Sequence, residues 1–486
     1  MGILTALLLV PLFGAALIWA MPSDSARMIR GIALATGLLT LATAWSLLLG
    51  FDPGVAGIQF AEAHRWNPRM GTSFTLGIDG FSLPMVLLAT LLCFVAILAS
   101  GSIGQPTRIY YLLLLVLEAA MLGVFTAQDW ALFYLFWELT LIPLFFLIDR
   151  WGGANRHGAA LNFFLYTMGG SVFLLISLLI LFDILPSHSF AMTDFMEGAK
   201  ALPERTQLLI FLGFLIGFGV KMPIFPIHGW LPLAHVEAPS PVSILLSGIL
   251  LKMGSYGLLR VSGMLPDAVM ALQGVLIALA LISLIYGGLL AWRQSDLKAM
   301  IAYSSVSHMG VVLVGIAALN VAGLTGAVMQ MVAHGLVAGA LFLLIGLMYE
   351  RTHTRDINDY SSLVRVTPRF AVLTTLAFVA MVGLPGTVGF IAELHALIGG
   401  FERWGWLMLL LGVGMMISAA YAIRTVGRLF TGPVRARMRN IPDLYRSEMV
   451  AASVLTAGIV LLGLFPAFAL RLVAGSVARF SAMFGV

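Results

Sequence analysis

Fourteen apolar runs divide the chain, and each is close to the length of a helix that crosses a lipid bilayer. A hydrocarbon core of roughly 30 Å requires about 17 to 25 residues of helix. No water inside that core can satisfy backbone groups, so only helices and closed barrels cross it. The runs cover residues 3–20, 29–50, 81–99, 110–126, 131–149, 160–183, 207–227, 241–262, 269–290, 297–318, 324–349, 370–393, 404–430 and 449–471. We therefore predict an all-α polytopic membrane protein with about fourteen transmembrane helices.

The composition leaves little room for a soluble part. Hydrophobic residues make up 60% and charged residues 10% of the 486 positions, whereas soluble domains carry roughly 25% charged residues. The runs and their connections account for nearly the whole sequence. The first run lacks a basic n-region and an A-x-A-like cleavage site, so we expect it to be retained as a span.

The basic residues predict the orientation in the membrane. The net charge is +5, with 27 Lys and Arg. Seventeen of these, Lys298 among them, fall in alternate connections, eight, Arg260 among them, fall on the opposite side, and Lys221 and Lys252 fall inside runs. Cytoplasmic loops carry an excess of Lys and Arg, so we predict that both termini are non-cytoplasmic. The basic charge is thus an orientation signal, and we expect no nucleic-acid partner.

The sequence contains few groups suited to redox or metal chemistry. Its one cysteine, Cys93, can hold neither an iron–sulfur cluster nor an internal disulfide. We find no P-loop, HExxH or strand-framed GxGxxG motif. His228 and His235 are seven residues apart with Pro232 between them, so a shared metal-binding helix face is doubtful. We expect no metal and no cofactor in this chain.

Within the apolar runs, seven ionisable residues lie at the depth of the membrane interior. A charge at the bilayer centre costs at least ~2.5 to 3.5 kcal/mol, so these side chains must face inward towards partners or water. They are Glu118, Glu138, Lys221, Lys252, His308, His334 and Glu393. A scaffold gains little from buried ion pairs, because apolar residues could replace them without loss of stability. A proton path needs such groups, and a lysine beside a movable carboxylate can serve as its gate.

Three of the seven have an alternative interpretation. Glu118 is the weakest candidate, because it could be a spare acid near Glu138. His308 and His334 could form hydrogen bonds between helices without relaying protons. One such residue taken alone could also tie two helices together as part of an ion pair.

Prolines interrupt two of the runs. Pro223 and Pro226 break the seventh run, and LPGTVGF at 384–390 breaks the twelfth. Proline removes a backbone donor, and lipid cannot satisfy the freed carbonyls, so both breaks must be buried or line a wet cavity. The offset of five runs is odd and reverses membrane direction. It predicts two inverted five-helix repeats, runs 4–8 and 9–13, with Lys221 and Glu393 flanking the breaks.

These repeats predict a division of the chain into four parts. Residues 1–109 hold the first three spans, and residues 110–262 hold the first repeat. Residues 263–430 hold the second repeat, and residues 431–486 hold a cytoplasmic loop and the last span.

Five strings in the sequence are similar to those of a known family. They are FWELTLIP, VKMPIFPIHGWLPLAHVEAPSPVSILLSGILLKMGSYGLLR, DLKAMIAYSSVSHMG, QMVAHGL and GLPGTVGFIAE. Together with the fourteen runs, they resemble the antiporter-like subunits of bacterial proton-pumping NADH-quinone oxidoreductase (respiratory complex I), and subunit M in particular. Sister subunits L and N usually have lysine where this chain has Glu393, and L continues into a long lateral helix. This chain ends about fifteen residues after its last run.

The resemblance implies roles for the first three residues of a proton relay. By matching position, Glu138 resembles the essential glutamate of the family's fifth span. Lys221 resembles the partner of that glutamate on the broken seventh span. Lys252 resembles the lysine of the central axis.

The resemblance also implies the rest of the relay and its setting. His308 and His334 correspond to the linking histidines, and Glu393 to the exit-side group. The implied activity is proton translocation in a bacterial inner membrane, driven by NADH:quinone electron transfer in other subunits. FMN, iron–sulfur clusters and NADH binding are expected in those partner subunits, and L-like and N-like subunits and membrane lipid are the expected neighbours.

Two other functions stay open at this point. A subunit of a multi-component Na+/H+ antiporter would share the repeat and the Glu/Lys pair, but HGWLPLAHVEAPSPV and the acidic residue of the twelfth run argue against it. A structural membrane scaffold would keep normal proton transfer in its complex after its buried charges were neutralised.

Overall fold

In a computed structural model that describes residues 2–23, 25–104 and 106–485, helices occupy most of the chain. Those of the first half are α1 (Ile3–Ala20), α2 (Ala26–Ser46), α3 (Ser82–Ala99), α4 (Thr107–Thr126), α5 (Trp130–Leu139), α6 (Leu141–Trp151), α7 (Arg156–Ile184), α8 (Met192–Ala199), α9 (Glu204–Lys221), α10 (Trp230–Glu237), α11 (Ser240–Leu245) and α12 (Leu251–Met264). Those of the second half are α13 (Pro266–Ala271), α14 (Gln273–Arg293), α15 (Leu297–Ala318), α16 (Val321–Thr352), α17 (Leu363–Val366), α18 (Pro368–Met381), α19 (Val388–Trp404), α20 (Leu409–Phe430), α21 (Arg446–Leu464) and α22 (Ala467–Ala482).

The helices confirm a multi-pass membrane fold. Helix covers each of the fourteen predicted runs, and in the described part of the chain twelve helical stretches are long and apolar enough to cross a membrane. One of these stretches, Val388–Phe430, contains both α19 and α20. Helix α9 is not among these twelve stretches, because three of its 18 residues are charged. The number of crossings and the inverted repeat remain predictions.

Helix α16 lies at the centre of the bundle. It is 32 residues long, and its residues from Gly323 to Met348 are all buried. It packs against α15, α19, α11, α18 and α21. A helix that is apolar on every side belongs inside a bundle, where other helices cover it completely. A polar residue between Gly323 and Met348 therefore faces neighbouring helices.

Both predicted helix breaks are present, and at the first break a side chain binds a backbone carbonyl that the helix leaves free. Helix α9 ends at Lys221 and α10 begins at Trp230, so the two prolines lie in the turn between them. The indole Nε1 of Trp230 donates to the free carbonyl oxygen of Val220 at 2.8 Å. The second break separates α18 from α19. The helices around both breaks extend beyond the predicted limits of the seventh and twelfth runs, to Glu237 and Trp404.

A two-stranded hairpin follows α2, and the sequence analysis did not predict it. Strand β1 (Gln59–Asn67) pairs antiparallel with β2 (Thr72–Ile78). The carboxylate of Glu62 accepts hydrogen bonds from the backbone N–H groups of Leu4 (2.7 Å) and Thr5 (3.1 Å). These N–H groups lie in the first turn of α1, where no helical carbonyl is available. The hairpin thus caps the first helix.

Arg260, counted from sequence on the non-cytoplasmic side, forms an ion pair with Asp79 ahead of α3. Arg260 is part of α12, and its guanidinium forms two hydrogen bonds of 2.6 and 2.8 Å with the carboxylate of Asp79, just ahead of α3. Burial acts to raise the pKa of Asp79, but the pair with Arg260 outweighs it and holds that pKa below its usual value. The residue therefore joins α12 to the start of α3, and its side of the membrane remains a prediction.

Contacts between connections agree with the predicted alternation of sides. On the side assigned to the cytoplasm, Ser102 after α3 donates to Glu350 at the end of α16, at 2.6 Å. On the other side, Gln207 at the start of α9 donates to Asp267 at the start of α13, at 2.9 Å. Each bond joins two connections that were assigned to the same side. These hydrogen bonds show which connections lie on the same side of the bundle. They do not show which of the two sides is cytoplasmic.

The first prediction tests the orientation. In a Cys93→Ala background, the exposed positions Asn440 and Ala482 are replaced one at a time by cysteine. Since α21 is the apolar helix between them, we expect Asn440→Cys to react with an impermeant maleimide only from the cytoplasmic side, and Ala482→Cys only from the outside. Labelling of both from the same side would mean that α21 and α22 together do not make a single crossing of the membrane.

Candidate functional site

Lys221 lies at the end of α9, just before the proline turn, and is 1% exposed. Its ammonium Nζ donates to the hydroxyl oxygen of Thr140 at 3.0 Å. The same Nζ lies 4.6 Å from the centre of the Trp137 ring, a cation–π distance. The broken helix therefore ends in a buried cation that is held by a hydroxyl and an aromatic face.

Glu138 lies beside this cation without contacting it. It is half-buried on α5, and its Oε1 is buried with no hydrogen-bond partner among the described residues. In the part of the chain that the structure describes, five ion pairs have N···O distances within 4.0 Å, and Glu138 with Lys221 is not one of them. The two still interact electrostatically. Among the described residues, this acid and base thus lie in one region without forming an ion pair, and we call this arrangement the open state.

Lys252 owes its position to a local defect in its helix. Residues Leu246–Leu250 form a π-helical turn between α11 and α12, and π-turns are frequent at functional sites. The carbonyl oxygen of Ser247 accepts a hydrogen bond from Lys252 Nζ at 2.7 Å. The same nitrogen lies within hydrogen-bond distance of Nδ1 of His334, which is on the central helix α16. Lys252 is therefore joined directly to a histidine in the middle of the bundle.

His334 begins a cluster that ends at Glu393. Its ring centre lies 5.7 Å from that of His308 on α15, and Nδ1 of His308 lies 3.6 Å from Oε1 of Glu393 on α19. The two histidines, Glu393 and Gln330 line a buried cavity with room for about one water molecule. Each of the four has one ring or side-chain polar atom without a protein partner among the described residues. A water in this cavity could therefore bridge them.

The helix break before α19 lets Glu393 reach the cluster. Gly383, in the turn, has a backbone φ of +71°, which L side chains rarely adopt. A Cβ at this position would collide with Oε2 of Glu393. Glycine is thus required here for the backbone conformation and for the space that the carboxylate occupies.

The first break lies directly against α12. A Cβ on Gly254 of α12 would come within 2.7 Å of the backbone N of Met222 and of the carbonyl oxygen of Phe218. The missing side chain lets α12 pack closely against the end of α9, one residue from Lys221. In the described part of the chain no direct hydrogen bond links Lys221 to Lys252, so a proton passing between them would need water.

Glu118 does not join either group. It is fully buried on α4, and neither of its carboxylate oxygens has a hydrogen-bond partner among the residues described. Its near neighbour is the thiol of Cys93 on α3. In the described part of the chain, no hydrogen bond or ion pair joins Glu118 to the Lys252 cluster.

Two further buried bases were not counted among the relay candidates in the sequence analysis. Lys298, assigned from sequence to a cytoplasmic connection, is 4% exposed and donates to the carbonyl oxygen of Ala238 at 2.8 Å. His235 on α10 stacks on Phe342 with ring centres 4.5 Å apart, and neither of its nitrogens has a partner in the described ranges. Lys298 stands two residues after the N-cap Asp296 and is followed by apolar residues, a pattern that could have indicated burial.

The sequence matches a family of membrane subunits. The profile described as NADH:quinone oxidoreductase/Mrp antiporter, TM, matches residues 127–418. The chain is similar to NADH-quinone oxidoreductase subunit M of Rhodobacter capsulatus, with 40% identity over 496 residues, 98% of this chain and 96% of the relative. It is 41% identical over 474 residues to NAD(P)H-quinone oxidoreductase chain 4 2 of Thermosynechococcus vestitus, covering 95% of this chain and 89% of the relative.

A solved structure has the same fold. It is a chain of respiratory complex I from Thermus thermophilus with bound NADH, with a TM-score of 0.90 and 31% sequence identity. The match covers 100% of both chains.

A second prediction tests the geometry around Glu393. Gly383→Ala and Gly386→Ala both place a Cβ at a positive φ, +71° and +92°, and strain of that kind costs about 1 to 3 kcal/mol. Only the Cβ at 383 collides with the Glu393 carboxylate; at 386 the nearest atom is Leu464 Cδ2, 3.8 Å away. We expect proton translocation per assembled complex in membrane vesicles to fall in Gly383→Ala and to stay near wild type in Gly386→Ala. Equal translocation in both would mean that the carboxylate position does not matter.

Proposed function

Because this chain belongs to the NADH:quinone oxidoreductase/Mrp antiporter family of membrane subunits, we propose that it is the proton-translocating M-type subunit of a bacterial NADH-quinone oxidoreductase. The observation that carries the proposal is the contact series from Lys252 through His334 and His308 to Glu393, buried where lipid-facing helices surround it. Charged groups at that depth cost free energy, and a role in proton transfer explains why the chain has them.

The first step of the proposed relay takes place at Lys221. When Glu138 approaches, its negative charge stabilises the protonated ammonium; when it withdraws, burial favours release of the proton. The open arrangement in the structure corresponds to the second situation, with the ammonium held by Thr140 instead. Movement of one carboxylate would therefore load or unload the lysine.

The second part of the relay passes through two imidazoles. Lys252 Nζ donates to His334 Nδ1, and an imidazole that accepts a proton on one nitrogen can release one from the other. Among the described residues, Nε2 of His334 and Nε2 of His308 have no hydrogen-bond partner, and both histidines line the cavity that Glu393 also lines. A single water there would complete a path from lysine to carboxylate. Glu393 is then the last acceptor of the series within the described residues.

The energy for this movement would come from other subunits. The sequence has no motif for a redox cofactor, so we assign NADH oxidation, FMN and the iron–sulfur clusters to partners of the complex. Glu138 is only half-buried although it lies in a membrane helix, and a carboxylate facing lipid is costly. That exposure supports a neighbouring subunit, L-like or N-like, packed over α5. We place the complex in the inner membrane with both termini of this chain outside the cytoplasm.

A subunit of a multi-component Na+/H+ antiporter is the second candidate, since the family profile includes Mrp antiporters. The identity of 40% over nearly the full length of a quinone oxidoreductase subunit favours the first. The two differ in a simple measurement, because only the first couples NADH oxidation in native membranes to acidification by the complex that contains this chain.

The third prediction concerns Glu138 and Lys221. Glu138→Gln keeps the shape and Lys221→Met keeps most of the stem, so we expect both variants to assemble but to lose most NADH-driven proton pumping, because neither can change protonation. Glu138→Asp keeps the charge on a shorter arm and should retain part of the activity. Quinone reductase activity and vesicle acidification are measured and normalised to the amount of complex on native gels.

A scaffold predicts the opposite pattern for these variants. Breaking one partner of a buried pair costs about 3 to 5 kcal/mol, so less complex would assemble, while the complex that did assemble would pump normally. Near-normal pumping per assembled complex in both Glu138→Gln and Lys221→Met would rule out the gate.

The fourth prediction concerns cofactors. We expect the purified, separated subunit to contain no flavin or iron and to bind no NADH, since its one cysteine and its motifs provide no site for them. Flavin fluorescence, iron analysis and NADH titration of the subunit check this. Flavin or iron in a one-to-one ratio with the chain would contradict the assignment of redox chemistry to the partners.

A further inference from the structure

We propose that Thr140 and Trp137 form a docking position for the Lys221 side chain, which it occupies whenever its bond to Glu138 is open. This inference rests on the proposed function, and it adds two positioning residues to the gate. The lysine then alternates between two defined partners, the carboxylate of Glu138 and the docking position. A gate with two defined positions can hold the open state long enough for a proton to leave in one direction.

The Thr140 hydroxyl is oriented to accept a hydrogen bond from the lysine. Its O–H donates to the carbonyl oxygen of Trp137 at 2.8 Å, one turn earlier. That bond occupies its only proton, so the oxygen lone pairs remain for Lys221 Nζ at 3.0 Å. An acceptor of this kind binds the protonated ammonium and also the N–H of a neutral amine. The docking position can therefore keep the side chain in place before and after it releases a proton.

The Trp137 ring provides the second contact, and other residues hold the ring still. Its Nε1 donates to the hydroxyl of Ser171 on α7 at 2.9 Å. Phe218 on α9 packs edge-on against it, with ring centres 5.4 Å apart. The face 4.6 Å from Lys221 Nζ attracts a cation through its quadrupole and has much less attraction for a neutral amine. The ring thus favours the loaded lysine, whereas the hydroxyl serves both states.

The helix geometry separates the docking position from Glu138. Residues three apart on a helix lie on one face, as Trp137 and Thr140 do, whereas residues one or two apart do not face each other. Glu138 is one residue from Trp137 and two from Thr140. The lysine therefore cannot contact the docking pair and the carboxylate equally, and the absence of a Glu138–Lys221 ion pair among the described residues agrees with this.

Pro143 explains why Thr140 sits at an irregular point of the helix. A proline has no N–H, so the carbonyl oxygen of Leu139, four residues earlier, lacks its helical donor. The structure accordingly divides this stretch into α5 and α6, with Thr140 at the junction. An irregular junction can shift more easily than a continuous helix, which would help Glu138 and Thr140 to exchange as partners of Lys221.

The test replaces the hydroxyl without changing the shape. Thr140→Val removes the acceptor, and a hydrogen bond to a charged group contributes about tenfold or more to an equilibrium, so we expect about tenfold slower NADH-driven pumping per assembled complex. Thr140→Ser keeps the hydroxyl and should restore most of the rate. Thr90→Val is the matched control, because Thr90 is equally buried and, among the residues that the structure describes, bonds only to carbonyls of its own helix α3. We expect this control to pump normally.

The pH dependence distinguishes a positioning role from a structural one. Loss of an acceptor for Lys221 should change the shape of the pumping rate against pH, and Thr140→Ser should return it to that of the wild type. A structural defect would lower the rate equally at every pH, and that result would overturn the proposal. Should Thr140→Val fail to assemble, Thr140→Ala replaces it in the same comparison with Thr140→Ser.

Lys221→Met separates failure of the docking position from failure of the gate. If Lys221→Met abolishes pumping but Thr140→Val pumps like the wild type, the docking position is wrong and the gate stands. If Lys221→Met itself pumps normally, both are wrong. The proposal requires loss in Lys221→Met, loss in Thr140→Val and recovery in Thr140→Ser, all normalised to complex content.

Discussion

The cost of a charge in lipid is the constraint on which this structure depends. Each ionisable group in an apolar helix must be paired, hydrated or neutral, and none of these is available on a lipid-facing surface. The chain meets the constraint by burying Lys221, Lys252, His308, His334 and Glu393 between helices, where each has a neighbouring polar group on another helix. The same arrangement places titratable groups within one hydrogen bond or one water of each other, and this is the geometry that proton transfer needs.

Defects in helices place the reactive groups. Lys221 ends a helix that two prolines interrupt, Lys252 follows a π-turn, and Glu393 follows a turn that requires glycine at 383. A regular transmembrane helix satisfies its own backbone and provides no free carbonyl for a side chain. Each defect frees backbone groups, and side chains then satisfy some of them, as Lys252 does for Ser247 and Trp230 for Val220. The irregular backbone thus positions the residues of the proposed relay.

Local signals made much of this predictable. Apolar runs marked the helices, prolines marked both breaks, and ionisable residues inside the runs marked the candidates for the relay, because each of these signals is contained in a short stretch of sequence. The contact series from Lys252 to Glu393 joins four different helices. The roles of these residues in proton transfer remain predictions.

Features that depend on packing between distant parts of the chain were not predictable. The hairpin is held by Glu62 capping a helix more than fifty residues away, with a sequence separation of 58. Burial of Lys298 depends on a carbonyl of the turn after α10, and His235 is covered by Phe342 of the central helix. The open state of Glu138 and Lys221 is a matter of side-chain geometry, which no spacing in the sequence encodes. Thr140 gave no signal either, since threonine is common in helices that cross membranes.

The central claim is that buried groups of this chain change protonation during turnover. Infrared difference spectroscopy of the assembled complex, recorded before and after addition of NADH, detects such changes directly through the stretching band of a protonated carboxyl group. We expect the wild-type spectrum to contain a carboxyl band that shifts in D2O and that disappears in Glu393→Gln while the signals of the redox centres persist. Identical carboxyl regions in the wild type and in Glu393→Gln would contradict the account, because Glu393 would then keep a fixed protonation state while the complex works.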